Sequence, residues 1–412
     1  MTEFRIGNGL VSTIGMITLA TMASAQQFQA EILPTLGGPG AAAYGVNDLG
    51  HVVGAADLRG DGFHACIWID GVAHDLGALA DGAVSTAFSV NNSDLVVGRS
   101  EDANGTNRAV RWVPDGSGGW DIEDLGTLRD DDTGFGWATR VNNSGQIVGY
   151  ATASAGSYHA FVWTNGTMAD LGTLHWTGPL AYSQGLGIND AGQTVGFAYR
   201  VLGGPEHGFF HDGGSQLDIT PAGSFALAQG HNINAAGVIG GYVSASSVGD
   251  GNFQAAYLPP RGTWQLIPRL PEHIGSFGFD ISDAGEMVGI SFNEQTPDFR
   301  GFYFDGEAVF DLNAITTGQP GQITDAFDIS QTGFVAATAN SLDGPAALLL
   351  SGMSTPCTGD VDGDHDVDLT DLATLLTDFG LVDTGLHGDL DRDGDVDLVD
   401  LATLLGNFGV VC

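Results

Sequence analysis

The sequence predicts an all-β, seven-bladed β-propeller of four-stranded repeats, followed by a small all-α module of two loop–helix units. Three observations predict this. A turn motif recurs seven times; the chain enters its first repeat with a spare strand and leaves its last with a vacancy; and the composition changes abruptly after residue 350. A period near 47 residues is the mark of a repeat architecture, and it decides the fold before any single element does.

The motif reads Ile188-Asn189-Asp190-Ala191-Gly192-Gln193-Thr194-Val195-Gly196, and its copies begin at Val46, Val90, Val141, Ile188, Ile233, Ile281 and Ile329. A β-branched residue closes one strand, and Asn or Ser opens the turn. A Gly follows in six copies, which suits a type I turn closed by a left-handed bulge. Asp94 takes that place in the second copy, and Asp is one of the few residues that tolerate left-handed backbone. The Gly that ends Val-Val-Gly or Ile-Val-Gly lets another backbone approach the second strand.

About 18 residues on comes a third strand, as in His64-Ala65-Cys66-Ile67-Trp68 and His159-Ala160-Phe161-Val162-Trp163. The runs Asp75 to Leu79, Asp124 to Leu128 and Asp170 to Leu174 read as fourth strands. Short alternating strands joined by hairpin turns, repeated radially, are the blades of a propeller. The chain opens with Ile32-Leu33-Pro34-Thr35-Leu36, which matches a fourth strand, and the seventh repeat ends after Ala346 to Leu350 without one. The spare strand is expected to fill the vacancy and so close the ring, hiding both edges.

Composition narrows the partners. The net charge is −38 with only 12 Lys and Arg, which argues against nucleic acid and anionic membrane as ligands. Residues 1–25 read as a secretory signal peptide, with Arg5 before the apolar run Leu10 to Met22 and Ala23-Ser24-Ala25 at the cleavage site. The expected product is secreted, extracellular or attached to a cell surface. Cys357 and Cys412 bracket the acidic end, and an oxidising compartment would allow a bridge between them. Cys66 sits mid-strand and reads as a small buried hydrophobe.

His159-Ala160-Phe161, Asp170-Leu171-Gly172-Thr173-Leu174 and Ile188-Asn189-Asp190-Ala191-Gly192 together resemble the extracellular HAF-repeat family over roughly residues 30 to 350. The resemblance implies an exported bacterial protein and supplies no reaction. The organisation expected is a signal peptide at 1–25, a propeller at 26–350, a linker at 351–356 and a second domain at 357–412.

In that second domain Asp360, Asp362, Asp364, Asp366, Asp368 and Asp371 stand at positions 1, 3, 5, 7, 9 and 12 of a loop. Asp389, Asp391, Asp393, Asp395, Asp397 and Asp400 repeat the pattern 29 residues later. Alternating carboxylates wrap a hard cation with oxygen, position 7 giving its carbonyl, so two Ca2+ ions are expected. His365 replaces the usual Gly of position 6, which should weaken the first site. Leu372, Leu375, Leu376 and Phe379 stand at helical spacing, as do Leu401, Leu404, Leu405 and Phe408, and both sets are expected to face inward. That leaves Thr370, Ala373, Thr374 and Thr377, with Val399, Ala402, Thr403 and Gly406, as two equivalent outward faces for a partner.

Two loop–helix units without an entering helix are similar to a type I dockerin over residues 357 to 412. The resemblance implies a cohesin-like protein partner and the company of polysaccharide-degrading enzymes. No nucleophile elbow, His-Glu-x-x-His or phosphate loop occurs. His64, His159 and His207 share one repeat position and read as strand-edge hydrogen bonders, and Asp130-Asp131-Asp132 as a solvated turn. The functional expectation is a non-enzymatic propeller that binds a glycan or protein and is anchored through the second domain. The alternative is a propeller hydrolase or lyase of polysaccharides.

Overall fold

The computed structural model of the chain describes residues 27–153, 157–174, 182–200, 204–220, 226–245, 252–293, 295–342, 344–353, 361, 367, 369–381, 388, 390, 395–406 and 408. Seven sheets form the propeller, and six of them are simple four-stranded antiparallel meanders. Blade 1, for example, runs Gly37–Val46, Val52–Leu58, Phe63–Ile69 and Val72–Gly77, and blade 3 runs Gly136–Val141, Ile147–Thr152, Tyr158–Thr164 and Thr167–Asp170. Blade 7 contains Gln322–Ile329, Val335–Ser341 and Gly344–Met353, and is completed by Gln27–Ile32 from the other end of the chain. Gln27 pairs with Met353 and Ile32 with Leu348, and Thr316–Thr317 adds a short parallel strand outside.

The ring therefore closes as expected, but with Gln27–Ile32 and not Ile32 to Leu36. The fourth strands differ in the same way: they end at Gly77, Asp124 and Asp170 instead of starting near there. The fourth strands stop early for a local reason. Asp75 and Asp170 each accept a hydrogen bond from the amide two residues on, which turns the chain out of the ladder. The Asp-Leu-Gly-Thr-Leu segment is thus the passage between blades, and Leu33 to Leu36 is its counterpart before blade 1.

The core lies between blades. Val53, Ala65 and Ile67 of blade 1 pack on Ala87, Val90 and Trp112 of blade 2, all of them fully or nearly fully buried. The turn motif does a second job that its pattern alone does not reveal. Each turn Asn accepts backbone amides of its own turn through Oδ1, as Asn142 does from Ser144 and Gln146. Its Nδ2 donates to the carbonyl of the next turn, so that Asn47, Asn91, Asn142, Asn189 and Asn234 each reach one blade onward at 2.9–3.0 Å. A second girdle uses the following residue, from Asp48 through Asn92 and Asn143 to Asp190; it is interrupted at Ala235, which has no side-chain acceptor, and resumes from the Ala235 amide through Asp283 and Gln331 to Asp48. The turn Gly residues and Asp94 adopt the left-handed backbone expected of them, with φ of 78° at Gly192 and 57° at Asp94.

Near the C-terminus two short helices, Leu369–Asp378 and Leu398–Gly406, pack through Leu375 and Leu404, with Val367 and Val396 buried beside them. Leu372 and Leu401 join at the edge. Leu376, Leu405, Phe379 and Phe408 do not face inward: they are 52%, 52%, 39% and 44% exposed. A pair of helices this short has one common seam, and i+4 falls on its flank, while Phe379 and Phe408 lie beyond the last helical turn. Among the described residues, no helix is long and apolar enough to cross a membrane.

Candidate functional site

Every first strand carries a β-bulge at the same place. The register skips Tyr44, Phe88, Thr139, Leu186, His231, Phe279 and Phe327, each two residues before its turn motif. A bulge leaves its extra residue outside the ladder and re-aims the side chain. Here all seven line one mouth of the central channel, where they form a cup of about 330 Å³. The strand Gly opposite makes room for this: a Cβ on Gly54 would overlap the Ala42 carbonyl, and one on Gly149 that of Trp137.

The rings of the cup touch in series. Trp137 stacks on Phe88 at 5.6 Å, Phe88 leans on Tyr44, Tyr44 meets Phe327 edge-on at 5.2 Å, and Phe327 stacks on Phe279 at 5.2 Å. His231 continues the arc at 5.5 Å from Phe279. This crescent spans six blades and is open at blade 4, where Leu186 and Gln184 stand beside Thr139 of blade 3. His231 keeps part of its surface open, yet it is hemmed in by Tyr242 and Phe279. Burial first, and then the Arg140 charge, depress its pKa to about 4, so the imidazole is neutral at pH 7.

At the position after the bulge, Ser89, Arg140, Asn232, Asp280 and Asp328 line the channel, while Gly45 and Gly187 carry no side chain there. Arg140 reaches across the ring, its Nη1 lying 2.8 Å from Asp328 and 3.5 Å from Asp280. Both carboxylates are buried and tied to backbone amides, Asp328 to Val46 and Asp280 to Ile281 and Ile329. Asn232 also donates to Asp280. Burial and the neighbouring Asp280 push the Asp328 carboxyl well up. Burial opposes ionisation of Asp280 too, but Arg140 and its hydrogen bonds hold it ionised, and Arg140 is held protonated. The floor is thus a compensated set, and Arg140 forms part of the lining at both ends of the channel. Among the described residues, no side chain lining the cup is a carboxylate.

The repeated histidines have the structural role expected: Nδ1 of His64, His159 and His207 pairs with Asp75, Asp170 and Asp218 at 2.8–3.0 Å. Asp131 and Asp132 are paired with Arg129 and Arg108. Burial pushes the Cys66 thiol up to about 12, which leaves it inert.

In the second domain Asp395, Asp397 and Asp400 bring carboxylate oxygens within 4.8 Å of one another, a hard-oxygen set able to hold a metal ion. Asp371 and Asp400 are fully buried and accept equivalent amides, Val361 at 2.6 Å and Leu390 at 2.7 Å. The other expected ligands (Asp360, Asp362, Asp364, Asp366, Asp368, Asp389, Asp391 and Asp393) lie outside the described residues, as do Cys357, Cys412 and the signal peptide. Of the proposed partner faces, Thr370, Ala373, Thr377, Val399, Ala402 and Gly406 are exposed, and Thr374 and Thr403 half-buried.

No family model matches the chain, and no curated protein matches it. Among solved structures it is similar to a streptogramin B lyase, at 13% identity over 79% of this chain and 98% of that one, with a TM-score of 0.43. It is also similar to an oligogalacturonate lyase in complex with manganese, at 11% identity over 80% and 96%, with a TM-score of 0.45. A fucose-binding lectin of Aleuria aurantia shares 11% identity over 63% and 88%, with a TM-score of 0.33. These likenesses are of propeller architecture alone.

Proposed function

We propose that the chain is an exported, non-enzymatic propeller of the HAF-repeat kind that binds a ligand in its aromatic cup. Its C-terminal domain, similar to a type I dockerin, would anchor it to a cohesin-like partner in an extracellular or cell-surface assembly. The observation that carries the binding reading is the cup itself: a concave, ring-lined site over a floor whose carboxylates are already engaged. Hydrolysis of a glycosidic bond uses two free carboxylates flanking that bond. Among the described residues near the cup, Asp325 is a carboxylate from which a polysaccharide hydrolase or lyase could begin, its carboxyl raised by burial beside Tyr44, but it already accepts a hydrogen bond from Thr324.

The anchoring reading rests on the pair of twelve-residue Asp patterns and on the equivalent burial of Asp371 and Asp400. Asp360 to Asp371 would hold one Ca2+ and Asp389 to Asp400 the other, and the ions would neutralise carboxylates that otherwise repel. The test uses the full secreted chain in calcium and in a chelator. Expected are no turnover of any polysaccharide, capture of a cohesin-like domain in calcium only, and loss of helical signal on chelation. Calorimetry should find the tighter site abolished by Asp389→Ala and the weaker by Asp360→Ala. Turnover that disappears in Asp325→Asn would replace the binding reading with the enzymatic one.

A further inference from the structure

The cup restricts the chemistry of its ligand, and this inference rests on the binding reading above. A cation is disfavoured because Arg140 forms the floor and the Arg99 guanidinium lies 4.7 Å from the Trp137 ring centre, occupying that cation–π position. An anion is disfavoured because Arg140 is already matched by Asp280 and Asp328. A wholly apolar ligand would cover polar groups without partnering them. Only Nη1 of Arg140 is engaged by the two carboxylates, and a guanidinium carries five N–H donors. Gln184 donates through Nε2 to Tyr182, which leaves its amide oxygen as an acceptor at the gap in the crescent. The volume of about 330 Å³ is at the small end of ligand sites, too narrow for an element of a folded partner.

What satisfies the crescent and the polar corner together is an uncharged ring with an apolar face and a hydroxylated edge. We propose that the cup receives a neutral pyranose unit of a glycan, its C–H face against the rings of the crescent and its hydroxyls directed to Arg140 and Gln184. Neither the turn girdles nor the second domain takes part.

The full chain, in calcium, should be titrated calorimetrically with neutral methyl pyranosides and their oligosaccharides, with oligouronates, with choline and with benzyl alcohol. Binding should be confined to neutral sugars. Trp137→Ala and Phe279→Ala should each weaken it at least tenfold, and Gln184→Ala, which lies outside the packed core, several-fold with an unchanged melting temperature. Binding confined to uronates, choline or the aromatic alcohol, or no binding across the panel, would overturn the proposal. So would neutral-sugar binding indifferent to Gln184→Ala and Phe279→Ala. Cup-dependent binding of one of the other classes would leave the binding reading standing, whereas turnover of a neutral glycan would remove that reading and keep the ligand class.

Discussion

The two mouths of the channel are built by the same seven strands, a few residues apart, and they have opposite characters. At one mouth the side chains of Asn47, Asn91, Asn142 and their equivalents are consumed in holding neighbouring turns together. At the other, the bulge residues leave the ladder and keep their faces open to the cup. The polar mouth must repeat because each turn makes the same demand on the next. The aromatic mouth is free to vary, and carries Tyr, Phe, Thr, Leu, His, Phe and Phe in ring order. Structural duty and the open ring faces are thus separated by only three positions of the chain, as Tyr44 and Asn47 are.

The residue between the two mouths gives the largest test of that division. Replacing Arg140 by Met leaves Asp280 and Asp328 buried without their cation, and such half-broken sets cost about 3–5 kcal/mol. Urea unfolding at pH 7 should show that loss, and the triple variant with Asp280→Asn and Asp328→Asn should recover part of it. A loss below about 1 kcal/mol would mean that the floor is incidental to the ring.

On the aromatic side, acid should act through His231. Its folded pKa of about 4 lies below the unfolded value, so the unfolded state binds the proton first. The stabilisation is complete above about pH 6.5 and fades as pH falls towards 4, by up to roughly 3 kcal/mol. The melting temperature of His231→Gln should therefore fall less steeply between pH 7 and 4 than that of the parent. Parallel curves would show that His231 titrates freely in the cup.

On the polar side the expected effect is smaller. Asn142→Ala removes one inter-blade bond and the acceptor of two turn amides, for a cost of about 1–3 kcal/mol. Gln184→Ala, on the opposite mouth, should remain within about 0.5 kcal/mol of the parent. Equal losses from the two substitutions would erase the distinction between the mouths.

The same contrast explains what could be read from the sequence. The turn motif was legible because Gly192, Asp94 and their equivalents meet a backbone demand, and backbone demands recur. The ring closure was legible from the mismatch of the two ends, though the strand that pairs is Gln27–Ile32 and not the Ile32 to Leu36 run beside it. The cup is not legible in the same way. Its signal stood two residues before each motif, where five of seven copies carry Tyr, Phe or His, but a bulge is defined by the partner strand and not by its own sequence. Arg140, Asp280 and Asp328 share one repeat position without sharing chemistry, and only a closed ring brings them together. The helices of the second domain were legible in their period, yet Leu376 and Phe379 show that period alone does not say how many faces a small pair can bury.

Gln27–Ile32 lies against Gly344–Met353, residues more than three hundred positions apart, and this pairing has a consequence in time. Six blades can form from neighbouring segments as the chain emerges, but the seventh waits for both ends to meet. Contacts of that separation slow folding. Once the strand is in place, its ladder is interior on both sides, between Thr316–Thr317 and Gly344–Met353, and opening the ring means breaking it first. The closing strand is therefore a latch, late to engage and slow to release, and the ring's lifetime should depend on how often that latch opens more than on the equilibrium stability of any single blade.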